Sequence, residues 1–342
     1  MSTIYITEQD VSFKIQHRYL KVFHQEEQRI SLPIRNLSQL IIFGNINLPQ
    51  DIIKLLRSHP IPVLYLTQSG EYLGRLENPY KLQPKYLTYQ RKRVRDFEFL
   101  RATAESIIWA KLHNQHVFLQ SWTRHHVNHV IQQALNYLTL LMDNLPIAQS
   151  LSELREYSEE ADKVYYWAIA SLLNVYSHCP QTTTKRMSQF CHLGNQLLHQ
   201  YIYTLLNTRE LHPGYAILHR DTHYDLPLAW DLTAEFRAPI VDDLVLNFVR
   251  NLSTSNGNGK HQPRSLLQSF LQQWEAKLRT FVLHPYSGEV SYRQCLDLQV
   301  REYLACLLGE VDFYRPLALK FHPTYSTFNV AKPEKAPLAL VK

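Results

Sequence analysis

"FEFLRATAESIIWAKLHNQHVFLQSW", residues 97–122, decides the fold class, because its apolar positions return every three or four residues. Phe97, Leu100, Ala104, Ile107, Ile108, Leu112, Leu119 and Trp122 share one side of a helix with 3.6 residues per turn. The same period continues in "QQALNYLTLLMDNL" (132–145), "ADKVYYWAIASLLNVY" (161–176) and "GNQLLHQYIYTLLN" (194–207), so the larger part of the chain is expected to be helical. Upstream the period is two. "TIYIT", "VSFKI", "YLKVFH", "RISLP", "QLIIFG", "PVLYLT" and "EYLGRL" read as short strands separated by turn residues. One helix interrupts them in "PQDIIKLLRSHP", where Pro49 and Asp51 mark its start.

The expected class is α+β, a small N-terminal mainly-β domain followed by a larger all-α catalytic domain. The boundary is set in "NPYKLQPKYLTYQ" (78–90), which has two prolines and no period. The expected division is 1–80 as the β domain, 81–90 as linker, 91–325 as the helical domain and 326–342 as a tail. "STSNGNGKHQPRS" (253–265) reads as an exposed loop within the helical domain.

A chain of 342 residues with 45% hydrophobic content can fill a substantial core. No run approaches ~18 consecutive apolar residues and no leader pattern opens the chain, so a cytoplasmic protein without a membrane partner is expected. Four cysteines form no CxxC pair, and "HCPQTTTKRMSQFCH" (178–192) matches no common zinc-finger spacing, so reduced thiols are expected. The net charge of +6 is uneven. Residues 81–130 hold nine Lys and Arg against three Asp and Glu, where a polyanion would bind.

"HRDTHYDLPLAWDLTAEFR" (219–237) gathers histidines and carboxylates in this basic chain. Asp231 and Glu235 are four apart on an expected helix, and His219 lies just upstream. One imidazole and two carboxylates suit Mg2+ or Mn2+ with substrate phosphate oxygens completing the set. A further ligand is sought in "SEEADKVYYW", where Glu159 and Glu160 are expected to open a helix. The usual nucleotide-cradling and nucleophile-elbow motifs are missing, which leaves metal-assisted chemistry on a phosphate backbone.

These segments resemble, in order, the family of CRISPR-associated protein one, the integrase of spacer acquisition. The resemblance is carried by "LPIRNLSQLIIFGNINLPQDIIKLLRSHPIPVLYLTQSGEYLGRL", "AESIIWAKLHNQHVFL", "GNQLLHQYIYTLL", "HPGYAILHRD", "DLTAEFRAPIVDDLVL" and "HPYSGEVSYRQCLDLQVREYL". It implies a DNA integrase or endonuclease that joins 3′-hydroxyl ends of short duplexes to the repeat by transesterification. It implies a divalent metal held by a glutamate, a histidine and a second acid. A homodimer acting with double-stranded DNA and with the small ferredoxin-like CRISPR-associated protein two is likewise implied. The family histidine falls on His219. The spacing to Tyr166-Trp167 selects Glu159 as the glutamate, whereas the small residue after it, Ala161, selects Glu160. The second acid of the family falls on Ala234, so Glu235 or Asp231 would have to replace it. Tyr166 is expected near the scissile phosphate. Arg91, Lys92, Arg93, Arg95, Lys111, Asn114, Arg124, Arg220 and Arg237 are the expected DNA contacts. Structure-selective cleavage of branched DNA and a catalytically weak DNA-binding scaffold are the competing expectations.

Overall fold

The computed structural model describes residues 2–76, 85–123, 128–176, 180–219, 226–254, 263–319 and 340–341. The elements run β1 (Ser2–Ile6), β2 (Val11–Gln16), β3 (Tyr19–His24), β4 (Glu27–Pro33), β5 (Leu37–Phe43), α1 (Gln50–Ser58), β6 (Val63–Leu66) and β7 (Tyr72–Leu76). Helices α2 (Leu87–Arg93), α3 (Phe97–Thr123), α4 (His129–Asn144), α5 (Leu151–Tyr176), α6 (Pro180–Thr208), α7 (Pro227–Thr233), α8 (Asp243–Thr254) and α9 (Pro263–Arg279) follow. Strands β8 (Phe281–His284) and β9 (Gly288–Ser291), helix α10 (Tyr292–Leu308) and strand β10 (Leu340–Val341) complete the order. The strand-rich start and helical remainder are the architecture expected from the change of period.

Two compact units divide the chain, residues 1–84 with 259–275 and 333–342, and residues 85–258 with 276–332. In the first, a five-stranded sheet in the order β10-β1-β5-β6-β7 lies with a three-stranded antiparallel sheet β2-β3-β4. Their inner faces bury Ile4, Ile6, Leu40, Ile42 and Val63 with Phe13, Leu20 and Val22, and α1 adds Ile52 and Leu56. Each such side chain contributes roughly 1.5–3 kcal/mol through burial. The registers Gln16↔Tyr19 and His24↔Glu27 leave two-residue loops, and His17, Arg18, Gln25 and Glu26 all take positive φ. That backbone matches the right-handed twist of the strands it joins. Gly44 has φ +93°, and a Cβ there would lie 2.5 Å from the Gln9 amide, so the residue that follows β5 has to lack a side chain.

The first part of α9, up to Glu275, lies in the unit that holds the sheets. The Tyr5 hydroxyl donates to Glu275 Oε1 at 2.7 Å and Gln268 Nε2 to Glu8 Oε1 at 3.2 Å, bonds too distant in sequence to be read from it.

In the second unit α3 buries Leu100, Ala104, Ile107, Ile108, Leu112 and Leu119, while Phe97 stays 50% exposed at its first turn. Residues 87–90, expected as linker, open α2, whose Gln90 exchanges two hydrogen bonds with the backbone of His212. The antiparallel hairpin β8-β9 departs from an all-α reading. It leads into α10, which starts with a Ser291–Gln294 capping box and stops at Gly309, φ +77°. Among the described residues no helix is long and apolar enough to cross a membrane. Cys191, Cys295 and Cys306 are free thiols, and burial raises the pKa of each. Cys179, most of the 253–265 loop and most of the 326–342 tail lie outside the described residues.

Candidate active site

The stretch expected as one helix from Pro227 is wound three ways. α7 ends at Thr233, Ala234–Phe236 form a 3₁₀ turn, Arg237–Asp242 a π-helical turn, and α8 resumes at Asp243. Pro239 accounts for the break. It has no N–H to give the carbonyl four residues earlier, that of Glu235, and its ring crowds that carbonyl. The Asn114 side chain supplies the missing donor, 2.8 Å from Glu235 O.

Asp231 is fully buried and binds back onto the chain just before it. Its Oδ2 accepts from the amides of Ile217 (2.6 Å) and Leu218 (3.0 Å), and its Oδ1 from the amide (3.3 Å) and Nδ1 (2.5 Å) of His219. The imidazole is thereby fixed in one tautomer, with Nδ1 as donor, at a side chain 28% exposed.

Glu235 is equally buried and has other partners. The Tyr314 hydroxyl donates to Oε1 at 2.6 Å and the Leu317 amide to Oε2 at 2.5 Å. Burial pushes its pKa up to about 7 against these two bonds and one from Gln299. Asp231 and Glu235 were expected as metal ligands; in the structure both oxygens of each carboxylate accept hydrogen bonds from protein donors. The sequence spacing carried no trace of Tyr314 and Leu317, some eighty positions away.

Glu159 and Glu160 do not open a helix, since α5 begins two turns earlier at Leu151. The two side chains differ. Glu160 pairs with Lys163 at 2.6 Å on the surface, whereas Glu159 lies close enough to act on the charge of Lys111. Arg155, Glu159, Asp162 and Tyr166 follow one another along one stripe of α5. Arg155 Nη1 reaches Leu218 O at 3.5 Å, bringing this stripe to the His219 segment. Tyr166 is 39% exposed, yet partial burial, then the carboxylates of Asp242 and Asp162, hold its phenol pKa well above the ordinary value. Beside it Tyr165 donates to Asp242 at 3.0 Å, and burial pushes Asp242 up to about 7.

Mg2+ or Mn2+ would need oxygen ligands that converge, and the expected set does not. Asp231 turns to His219 and the 217–218 amides, Glu235 to Tyr314 and Leu317, and Glu160 to Lys163. Among the described residues no group of three or more His, Cys, Asp or Glu side chains is placed to hold a metal ion.

Of the expected DNA contacts, Arg91, Lys92 and Arg95 are exposed on and after α2. Arg91 Nε is steadied by the Tyr215 hydroxyl at 2.9 Å. Arg93 is turned to Asp96 and to Leu307 O, each at 3.2 Å. Arg237 stacks over Trp230, 5.4 Å from the ring centroid, and Trp230 stacks on His199. Lys111 and Asn114, also expected as DNA contacts, are only 5% and 1% exposed and bond within the helical unit. Arg124 and Arg220 lie outside the described residues, as do Asp221, His223 and Asp225. Ser158, Asp162, Tyr314 and Leu317 were not singled out in the sequence, because their partners come from other elements of the fold.

The chain is similar to known proteins over nearly its whole length. It is 25% identical over 340 residues to CRISPR-associated endonuclease Cas1 3 of Thermus thermophilus, covering 94% of this chain and 98% of that one. A solved casposase bound to integration product superposes with a TM-score of 0.74 at 17% identity, over 96% of this chain and 99% of that one. A chain of a Cas6-RT-Cas1–Cas2 complex gives 0.73 at 16% identity, over 94% of this chain and 36% of that longer one. The pattern of the family described as CRISPR associated protein Cas1 matches residues 4–276, and this chain belongs to that family.

Proposed function

We infer that this protein is a DNA integrase and endonuclease of CRISPR spacer acquisition, working as a homodimer together with a Cas2-type partner. The observation that carries the reading is His219, locked by Asp231 at the partly exposed edge of a fold matched along nearly its full length to Cas1 endonucleases. In strand joining, the oxygen of a 3′-hydroxyl bonds to a backbone phosphorus while the bond from that phosphorus to the neighbouring 3′-oxygen breaks. The attacking hydroxyl gives up a proton and the leaving oxygen takes one. With Nδ1 committed to Asp231, Nε2 is the nitrogen of His219 that meets the phosphate or moves that proton. Arg237, backed by Trp230, neutralises a phosphate, and Tyr166, held protonated, donates to one. Arg91, Lys92 and Arg95 bind flanking backbone. No step is assigned to Mg2+ or Mn2+, since the described side chains do not close a site for either.

The test is joining of a labelled short duplex to a supercoiled repeat-bearing plasmid, with the partner present, in Mg2+, in Mn2+ and in EDTA. His219→Ala should reduce the joined product to background while leaving DNA affinity intact, and joining at the parental rate would overturn the reading. A second reading, a DNA-holding scaffold, is favoured by one observation, the internal engagement of Asp231 and Glu235. Tight, salt-sensitive DNA binding with no joining in any condition is its signature.

A further inference from the structure

Lys111, Asn114 and Gln115 stand at positions i, i+3 and i+4 of α3 and form one buried face, none of them more than 5% exposed. That face is bonded in two directions. Toward α5, Lys111 Nζ donates to Ser158 O (3.0 Å), Ser158 Oγ (2.7 Å) and Asp162 Oδ2 (2.7 Å). Gln115 Nε2 donates to the other oxygen of Asp162 at 2.8 Å. Toward the 3₁₀ turn, Asn114 Nδ2 donates to Glu235 O and to Leu317 O, both at 2.8 Å, and its Oδ1 accepts from the Leu319 amide at 2.9 Å.

We propose that Lys111, Asn114 and Gln115 are positioning residues for strand joining, which fix α5 and the Ala234–Phe236 turn at one spacing. The proposal rests on the integrase reading above. The bonds from Lys111 go to Ser158 and Asp162, which flank Glu159, so they set the rotation of the α5 stripe that includes Glu159 and Tyr166. The bond from Asn114 goes to the carbonyl that Pro239 leaves without a helical donor, so it holds the turn that directly follows α7, the helix that carries Asp231. All three ammonium protons of Lys111 are used inside the protein, which leaves it nothing for a DNA phosphate. Burial lowers its pKa while Asp162 holds it up, the balance of an internal pair.

The experiment compares full-length parent, Lys111→Met, Asp162→Asn and the double variant, in which neither partner is left as an unpaired buried charge. Melting temperature, DNA affinity with its salt dependence, joining rate at saturating DNA and the His219 ring resonances in selectively labelled protein are read. The double variant should melt close to the parent, bind DNA within about twofold with an unchanged salt slope, and join on the order of a hundredfold more slowly. The His219 resonances should move although Lys111 does not touch that ring. Parental joining in the folded double variant would reduce these residues to fold support. A salt slope lower by about one would make Lys111 a DNA contact. If the parent itself joins nothing, the integrase reading fails. The resonances then decide the positioning claim, and an unmoved His219 signal overturns it.

Discussion

Helix α2 and the Lys111 face of α3 contribute alike to the positive surplus of residues 81–130, and the fold uses them in opposite ways. On α2 the cations of Arg91 and Lys92 reach solvent, on a helix fastened from beneath by Gln90. On α3 the cation of Lys111 is itself buried and pairs with the part-exposed Asp162. A charge count cannot separate the two. What separates them is the neighbouring carboxylate, and Asp162 is brought in by another helix.

The sharpest break of the comparison is Lys111→Ala. It removes three hydrogen bonds to Ser158 and Asp162 and leaves a cavity where the buried lysine stem lay, and should cost about 2–4 kcal/mol in chemical denaturation, whereas an exposed lysine would cost almost nothing. A loss below about 1 kcal/mol would place Lys111 with the α2 cations. Next come the two buried acids pushed to about 7, Glu235 from 4.5 and Asp242 from 3.8. A carboxyl whose folded pKa is raised keeps a proton that the unfolded chain releases. Its stabilising effect is therefore full below the ordinary value and is lost as pH rises toward 7. Denaturation midpoints should fall across that window, by on the order of 3 kcal/mol for each acid, and Asp242→Asn should flatten the curve. A profile that rises with pH through the window would contradict the burial of these groups.

Asp231→Asn sets an NH2 against N–H groups that the carboxylate accepts from and releases the His219 tautomer, and should lower both stability and, by about 10–100-fold, strand joining. Joining at the parental rate would mean that the imidazole needs no such hold. The smallest effect belongs to α2. Lys92→Ala should change stability by no more than about 0.5 kcal/mol and take about one from the salt slope of DNA binding. An unchanged slope would remove α2 from the DNA surface.

The fold was legible because a period of two followed by one of 3.6 is written in consecutive residues, from "VSFKI" to "SIIWAKL". His219 and Asp231 stood out as well, and the structure joins them directly. Glu235 was legible as an acid on a helix but not as an acid consumed by Tyr314 and Leu317, since a partner far along the chain leaves no local mark. The π-helical turn had a signal in Pro239, whose missing N–H breaks helical bonding one turn upstream. Lys111 and Asn114 had none, since a residue's exposure is settled only when helices pack.

Strand β10 is only two residues long, yet it lies parallel to β1 and occupies that edge of the five-stranded sheet. An open edge is a template for any other strand, whether of a second copy or of an aggregate. With Tyr5 and Ile6 already matched to Leu340 and Val341, two copies that extend a sheet across a two-fold axis would do so at β7, β2 or β4. Removing β10 would uncover β1 as a further site for sheet extension, and the cost would appear as loss of colloidal solubility before any loss of DNA chemistry.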